Sequence, residues 1–355
     1  MISGVPEIGA SSSGKTQDFD SCMRRFESCR PSHSFVKTLF GGPVASEILL
    51  FGGRSNIPLV EKISEHLKIP QADALVSQFS DGETRVEIKQ NVRGADVYVV
   101  QPTCAPANHH IMEALILVDA CKRASAKNIT LVSPYFGYGR QERKSAPRTP
   151  ITAKLVAELM EAAGVTRLLT LELHNSAIQG FFNVPVDHLF SKPVFAGYFE
   201  GKTDNTIVVS PDAGGVERAR AMAKQFNCGL AIIDKRRDKP NESAVMHIIG
   251  DVSGKDCLIV DDIVDTGGSL VNAANALMSK GARQVSAAIT HPVLSGPAVS
   301  RIDESCIERL VVTDSIPLSK EAEGSLKVVQ VSISGLFADA IKRINNQSSV
   351  SSLFI

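Results

Sequence analysis

Residues 257–269 read CLIVDDIVDTGGS, which combines an apolar strand, two adjacent acids and a small-residue loop that opens a helix. The strand delivers Asp261 and Asp262 to its carboxyl end, where open α/β sheets bind ligands. Residues 266–269 let backbone N–H groups approach a phosphate, and the helix dipole favours an anion there. The acids repel phosphate, so we expect them to accept hydrogen bonds from sugar hydroxyls or to bind a divalent cation. A plain loop with acidic caps is the alternative.

Around this segment, strand-like and helix-like stretches alternate, as is typical of an α/β fold with a largely parallel sheet. The pattern strand, loop, helix, strand recurs at an offset of about 160 residues, which favours two related α/β units. We expect strands at 47–53, 96–102, 128–137, 256–262 and 284–294, and helices at 110–127, 152–163 and 268–282.

The composition limits the classes of partner. A chain of 355 residues is long enough for two domains. Lys plus Arg equals Asp plus Glu at 38 each, so no bulk charge predicts a nucleic-acid partner, and no apolar run predicts a membrane span. The seven cysteines show no C-x-x-C spacing, which indicates free thiols in a reducing compartment and predicts a cytoplasmic protein.

The segment GASSSGKT (9–16) matches the nucleotide-binding pattern G-x-x-x-x-G-K-[ST], but its context argues against a P-loop. Gly4 and Pro6 interrupt the strand that should precede it, and the helix that should follow lacks apolar periodicity. We therefore interpret residues 1–45 as a disordered leader. A P-loop nucleoside triphosphatase is the weaker alternative.

Several further motifs resemble the ribose-phosphate diphosphokinase family, over about residues 47 to 355. The resemblance is closest to the phosphate-activated, hexameric class of that family. The motifs are QFSDGETRVEI (78–88), NVRGADVYVVQPT (91–103), RASAKNITLVSPYFGYGRQ (123–141), LHNSAIQGFFNVPVDHL (173–189), VVSPDAGGVERARAMA (208–223) and IIDKRR (232–237).

The resemblance implies an α/β fold of two phosphoribosyltransferase-type domains with largely parallel sheets, related as a duplicated unit. The first domain would span residues 46–192, bind ATP and be completed by residues 335–355. The second would span residues 193–334 and bind ribose 5-phosphate.

The same resemblance assigns roles to individual residues, each beside a plainer structural reading. The SDGE turn could be an ordinary β-turn, a lone histidine is often structural, and a run of charges is usually solvated. The implied catalytic residues are Lys235 and Arg237. The implied ATP site comprises Asp81, Gly82, Glu83, Arg140, Gln141 and His174, with His174 and Asp212 at Mg²⁺. The implied ribose 5-phosphate site comprises Arg237, Asp261, Asp262, Asp265, Thr266, Gly267, Gly268 and Ser269.

The implied activity is diphosphoryl transfer from ATP to ribose 5-phosphate, releasing AMP and supplying nucleotide biosynthesis. A salvage phosphoribosyltransferase is a rival, but it needs only one α/β unit. A non-catalytic regulatory paralogue is another, and the intact cations Lys235 and Arg237 weigh against it.

Regulation and assembly are implied by resemblance alone. The family suggests a hexamer built from dimers, with phosphate as activator and ADP as inhibitor. Arg93, Ser349 and Ser351 would form the effector site, although such residues are common on surfaces. This chain has Glu172 and Asn183 where family members usually have Asp, which puts a second cation site in doubt.

Overall fold

The computed structural model describes residues 47–201, 203–236 and 245–354. Its first half contains seven strands. These are β1 (Ile48–Gly52), β2 (Ala74–Gln78), β3 (Thr84–Ile88), β4 (Asp96–Val100), β5 (Asn128–Ser133), β6 (Arg167–Leu171) and β7 (Val186–Leu189). Strands β1-β4-β5-β6-β7 form a sheet in that order with every neighbouring pair parallel, while β2 and β3 form a separate antiparallel hairpin.

Both faces of this first sheet are covered, as parallel sheets require. Along β4, Val97 and Val99 enter one apolar cluster, and Tyr98 and Val100 enter the cluster on the opposite face. This alternation follows from the two-residue period of a strand. Helices α1 (Ile57–Leu67), α2 (Ala107–Arg123) and α3 (Thr152–Ala163) belong to this half. Helix α4 (Lys192–Phe199) follows, and its buried Phe195 packs in an apolar cluster of the second half.

The second half forms a seven-stranded sheet. Its strands are β8 (Thr206–Ser210), β9 (Gly229–Arg236), β10 (Val245–Ile249), β11 (Asp256–Val264), β12 (Gln284–Pro292), β13 (Ile307–Thr313) and β14 (Val328–Val331). The order is β10-β9-β8-β11-β12-β13-β14, and only the pair β9–β10 is antiparallel. Its helices are α5 (Val216–Phe226), α6 (Gly268–Ser279), α7 (Ala298–Asp303) and α8 (Lys320–Gly324).

The last long helix, α9 (Ser334–Asn345), returns to the first sheet. Its buried Phe337 and Ile341 share an apolar cluster with Leu59 and Ile63 of α1. Lys342 Nζ also donates to the carbonyl oxygen of His66, over 3.0 Å. Helix α9 therefore completes the core on one face of the first sheet.

The two halves follow the same sequence of elements. In each, a strand and a helix lead to an antiparallel pair, and four further strands then extend the sheet in chain order. The difference lies in the pair itself, because β9 joins β8 in the main sheet whereas β2 and β3 stay apart. An internal duplication produces such a shared order of elements in two halves of a chain.

The predicted strands and helices are all present, but most boundaries differ by a few residues: α2 spans 107–123 rather than 110–127, and β5 ends at Ser133 rather than at 137. Helix α3 ends at Ala163 with Gly164 as its C-cap, as expected. Strand β11 continues past the expected end at Asp262, because residues up to Val264 still pair with β12. Asp261 and Asp262 therefore lie among the last residues of β11 rather than after its end.

The part of the chain that the structure describes contains no helix long and apolar enough to cross a membrane. Its five cysteines, at positions 104, 121, 228, 257 and 306, are all free thiols, as the sequence predicted. The leader with its GASSSGKT segment, Cys22 and Cys29 lies outside the described residues.

Candidate active site

Side chains from the carboxyl ends of the two sheets meet at a hydrogen bond between His174 and Asp262. His174 follows β6 of the first sheet, and its Nδ1 lies 2.8 Å from Oδ2 of Asp262 in β11 of the second. The cleft around this contact is lined from both sides, among others by Tyr135, Phe136, Arg140, Glu172, Ile263 and His291. The resemblance assigns His174 to ATP and Asp262 to ribose, and the structure brings the two side chains together.

Arg218, on helix α5, binds three carboxylates at the centre of the site. Its Nε lies 2.9 Å from Oε1 of Glu172, and its Nη1 lies 3.1 Å from Oδ1 of Asp261 and 3.4 Å from Oδ1 of Asp262. The guanidinium is largely buried, and burying charges together is tolerated only when they are paired and hydrogen-bonded. Arg218 thus links the loop after β6 to strand β11.

Glu172, immediately after β6, is fixed by several further contacts. Its Oε2 accepts hydrogen bonds from the backbone N and the Oγ of Ser191, both over 3.0 Å. Its carbonyl oxygen lies 3.0 Å from Nε2 of the buried His291. Its φ of +43° is a strained conformation for a residue with a side chain, and such strain clusters at functional sites.

The acids at the end of β11 have opposite pKa shifts. Burial, followed by the negative charge of Asp262, raises the pKa of the Asp261 carboxyl. Burial also opposes ionisation of Asp262, but the hydrogen bond with His174 and the charge of Arg218 hold its pKa well below its usual range. The hydrogen bond to Asp262 in turn raises the pKa of His174 against the effect of burial. The arrangement favours an ionised Asp262 that accepts a hydrogen bond from Nδ1 of His174, and in the neutral imidazole this leaves Nε2 free.

A second contact joins the two halves of the site. Arg140, in the loop after β5, donates from Nη1 to Oδ2 of Asp265 over 2.7 Å. The other carboxylate oxygen of Asp265 accepts a hydrogen bond from Ser295 Oγ, and that bond, followed by the one from Arg140, lowers the pKa of Asp265. A predicted ATP-binding cation therefore contacts a predicted ribose-binding acid.

The loop that opens helix α6 has the geometry of an anion site. Gly267 is its N-cap with φ of +75°, and a Cβ there would lie 3.3 Å from the carbonyl oxygen of Ala298. The carbonyl oxygen of Thr266 accepts a hydrogen bond from Arg301 Nη1 over 3.0 Å. The first N–H groups of a helix have no intrahelical partner, so those of Gly268 and Ser269 can bind a phosphate.

Asp212 lies close to Arg218 but makes no described contact with His174. It is exposed after β8, and its Oδ1 accepts a hydrogen bond from the backbone N of Gly215 over 3.0 Å. A Cβ on Gly215 would lie 3.7 Å from Arg218 Nη1 and 3.8 Å from Asp212 Oδ1. Asp212 therefore borders the central cluster.

Other predicted residues lie apart from this cluster in the described contacts. Asp81, Gly82 and Glu83 form the exposed turn of the β2–β3 hairpin, where Glu83 N donates to Asp81 Oδ1 over 3.1 Å. Gln141 accepts a hydrogen bond from Thr152 Oγ1 over 2.6 Å, at the start of α3.

The predicted catalytic cations are described only in part. Lys235 lies in β9 opposite Met246 of β10, and its backbone position is all that is described. Arg237 lies outside the described residues.

The predicted effector residues are exposed. Arg93 N donates to Asn91 Oδ1 over 3.1 Å, and the carbonyl oxygen of Ser349 accepts from Arg343 Nη1 over 2.9 Å. Ser351 begins a short 3₁₀ helix and lines a groove with Phe190 and Phe354. No described contact joins Arg93 to Ser349 or Ser351.

The two residues that depart from the family pattern, Glu172 and Asn183, both make hydrogen bonds within the protein. Glu172 binds Arg218, as described above, and Asn183 Nδ2 donates to Oε2 of Glu161 over 2.8 Å. The backbone N of Asn183 also donates to Glu161, so an aspartate at position 183 would face a carboxylate. These hydrogen bonds suit an amide at that position.

Sequence reasoning missed Arg218. The residue lies in a recognised motif, but on a helix that also carries Arg220, and local sequence does not distinguish the two. Its partners are 46 and 43 residues away along the chain. The only available signal was its position six residues after Asp212.

The fold and the site together define a phosphoribosyltransferase-type protein, since an acid pair at the end of a parallel strand precedes a phosphate-type loop in the second of two α/β domains. Residues 48–164 match the model of the N-terminal domain of ribose phosphate pyrophosphokinase, and residues 236–355 match that of the phosphoribosyl synthetase-associated domain. The chain belongs to the ribose-phosphate pyrophosphokinase family.

Individual relatives agree with this assignment. The chain is 54% identical to the ribose-phosphate pyrophosphokinase of Agrobacterium fabrum, over 86% of this chain and 99% of the relative. It is 53% identical to that of Oceanobacillus iheyensis, over 87% of this chain and 98% of the relative. The solved phosphoribosylpyrophosphate synthetase of Mycobacterium smegmatis is 36% identical, with a TM-score of 0.80, and the match covers 85% of this chain and 100% of that one.

Proposed function

We infer that this chain catalyses the reaction for which its family is named, and that it transfers a diphosphoryl group from ATP to ribose 5-phosphate. The anomeric hydroxyl oxygen forms a bond to the β-phosphorus of ATP, the bond from that phosphorus to the α-phosphate oxygen breaks, and AMP leaves. The hydroxyl proton is released. The product is 5-phospho-α-D-ribose 1-diphosphate, a precursor for nucleotide biosynthesis.

One observation carries this assignment. The 2.8 Å contact between His174 and Asp262 joins the loop that we propose for ATP to the acids that we propose for ribose. Transfer between two bound substrates depends above all on holding them at adjoining positions. A salvage phosphoribosyltransferase would not need the first domain or its Arg140 and His174.

The ribose 5-phosphate site is proposed at the end of β11. The backbone of residues 266–269 would bind the 5-phosphate at the start of α6. Asp261, Asp262 and Asp265 would accept hydrogen bonds from the ribose hydroxyls, a role that suits carboxylates already oriented by arginines.

The ATP site is proposed on the first domain. Arg140 is suited to pair with phosphate oxygens because a guanidinium binds them in a bidentate manner. Gln141 and His174 would complete this part of the site. The turn at Asp81, Gly82 and Glu83 is exposed, and we propose that it completes the ATP site of a neighbouring copy in a hexamer built from dimers.

Mg²⁺ is the proposed cofactor, held by Asp212 and His174. Among the described residues, no group of three or more histidine, cysteine, aspartate or glutamate side chains is arranged to hold a metal ion. Mg²⁺ does not require one, because it usually keeps several waters and binds through one or two carboxylates and substrate phosphates. The exposed Asp212 carboxylate and the excess of carboxylates around Arg218 fit such a cation. When bound, it would neutralise charge on the ATP phosphates.

Lys235 and Arg237 are proposed to stabilise charge that develops during the transfer. Residues 46–192 with 335–355, and residues 193–334, are the proposed domains. We also propose a cytoplasmic location, inhibition by ADP, and phosphate activation through Arg93, Ser349 and Ser351.

An assay for AMP tests the proposal. The purified full chain is supplied with ATP and Mg²⁺, with and without ribose 5-phosphate, and AMP is quantified. We expect AMP release that requires ribose 5-phosphate. ADP release independent of the sugar phosphate would identify a nucleoside triphosphatase, and the absence of any product would favour a regulatory paralogue.

A further inference from the structure

We propose that Arg218 is a positioning residue of the ribose 5-phosphate site, which holds Asp261 and Asp262 in place by tying them to Glu172 of the other domain. This inference rests on the proposed function, since it concerns acids assigned there to the ribose hydroxyls.

The geometry of the guanidinium supports this role. Nε is used for Glu172 at 2.9 Å, while Nη1 is shared between Asp261 at 3.1 Å and Asp262 at 3.4 Å. A guanidinium is a rigid planar fork, so its separate N–H groups fix the relative position of the groups they bind. A lysine ammonium is a point charge on a flexible stem and does not impose that arrangement.

The Glu172 end of the bridge is held firmly. Two hydrogen bonds from Ser191 fix one carboxylate oxygen, and His291 binds the carbonyl oxygen of the same residue. Ser191 Oγ also lies 2.8 Å from Oγ1 of Thr290, which is buried. Arg218 therefore transmits a fixed position from the loop after β6 to the acids of β11.

The same bridge places the acids relative to His174. That residue lies two positions after Glu172 and contacts Asp262 directly. Asp262 is thus held by two groups from different elements, and Asp261 by Arg218 and by the backbone N of Asp262, which donates to its Oδ1 over 2.9 Å. Removing Arg218 would leave Asp261 without its only described cationic partner.

The test compares the wild type with Arg218→Met, Arg218→Lys and Glu172→Gln. Calorimetry measures the dissociation constant for ribose 5-phosphate, and steady-state AMP release gives kcat and KM for both substrates. Arg220→Met is the matched control, because Arg220 is exposed on the same helix. We expect Arg218→Met to weaken ribose 5-phosphate binding by about tenfold or more, given what a hydrogen bond between charged groups contributes. The KM for ATP should change by less, and Arg220→Met should match the wild type.

A double-mutant cycle shows whether Arg218 acts through Asp261. If it does, Arg218→Met combined with Asp261→Asn should bind ribose 5-phosphate about as weakly as Asp261→Asn alone. If Arg218→Met does not fold, as judged by circular dichroism, Arg218→Lys and Glu172→Gln carry the same comparison with smaller changes in shape.

Two results would overturn the proposal while leaving the function intact. One is normal ribose 5-phosphate binding in the folded Arg218 and Glu172 variants; the other is additive losses in the cycle. If the wild type itself shows no AMP release that depends on ribose 5-phosphate, the proposed function and this inference both fail.

Discussion

Asp262 shows how single residues define the chemistry of this site. It forms an ion pair with Arg218, shares a hydrogen bond with His174, and lies beside a second carboxylate at Asp261. Burial alone would favour its protonated form. His174 and Arg218 reverse that preference and stabilise the ionised carboxylate.

This charge distribution predicts that the pKa of His174 depends on Asp262. In Asp262→Asn, the pKa of His174 should fall, because the partner that raises it is lost. Proton NMR of the imidazole ring over a pH series measures the midpoint. His188 is the internal control, since its pKa is lowered by burial and it does not contact Asp262. An unchanged His174 midpoint in the variant would contradict the assigned ion pair.

The same pair predicts a window of stability. The pKa of His174 is raised in the folded state, so its contribution is present below the unfolded value of about 6.5 and is lost as pH rises through the folded value. The pKa of Asp262 is lowered, so its contribution is present above about 3.9 and is lost as pH falls. The difference in unfolding free energy between the wild type and Asp262→Asn should therefore be largest between these limits.

At the scale of elements, the loop between β11 and α6 depends on one glycine. Gly267 combines a positive φ with a close approach to the backbone of Ala298. The positive φ alone disfavours any residue with a Cβ, by about 1–2 kcal/mol. The close approach adds a second requirement, because the Ala298 carbonyl cannot rotate away as a side chain could.

Gly267→Ala should therefore lower stability and weaken ribose 5-phosphate binding together. Gly254→Ala is the matched control, because Gly254 also has a positive φ, of 65°, but a Cβ there would meet nothing within 4 Å. Gly254→Ala should lose about 1–2 kcal/mol of unfolding free energy, and Gly267→Ala should lose more because of the contact with Ala298. Only Gly267→Ala should raise the dissociation constant for ribose 5-phosphate. Equal binding in all three proteins would show that the loop does not hold the phosphate.

The sequence predicts an element well when the residues that determine it are contiguous, and poorly when they are far apart along the chain. Strand β11, its acids and the following loop are contiguous, so hydrophobic pattern and residue chemistry identified them together. The length of β11 was underestimated because its last pairs are with β12, a partner that local pattern does not reveal. Arg218 was missed for the same reason, since its role exists only when residues of two domains meet.

At the scale of the whole molecule, the sequence offers two candidate phosphate loops. The loop at 266–269 has a preceding strand and a following helix, and the leader segment has neither in its sequence pattern. A chain needs only one loop for the 5-phosphate. The ATP contacts are proposed elsewhere, at Arg140 and Gln141.

Deleting residues 1–45 should leave kcat and the KM for ATP unchanged, and Lys15→Ala should have no measurable effect. A P-loop lysine contacts the β- and γ-phosphates, so its loss would be severe. The measurement is steady-state AMP release by the full-length, truncated and Lys15→Ala proteins. A tenfold fall in kcat/KM for Lys15→Ala, about 1.4 kcal/mol, would restore the P-loop hypothesis. Loss on deletion alone would indicate an assembly role for the leader.

Helix α9 has a consequence for the order in which the protein can be made. It covers α1, and the hydrogen bond from Lys342 to His66 joins residues 276 positions apart. Domains usually fold from the N-terminus as they leave the ribosome. The first domain is translated before α9. Until α9 is added, the apolar surface of Leu59 and Ile63 that packs against it stays uncovered. Premature termination before α9 would therefore leave an aggregation-prone fragment, even though every strand of the first sheet had already been translated.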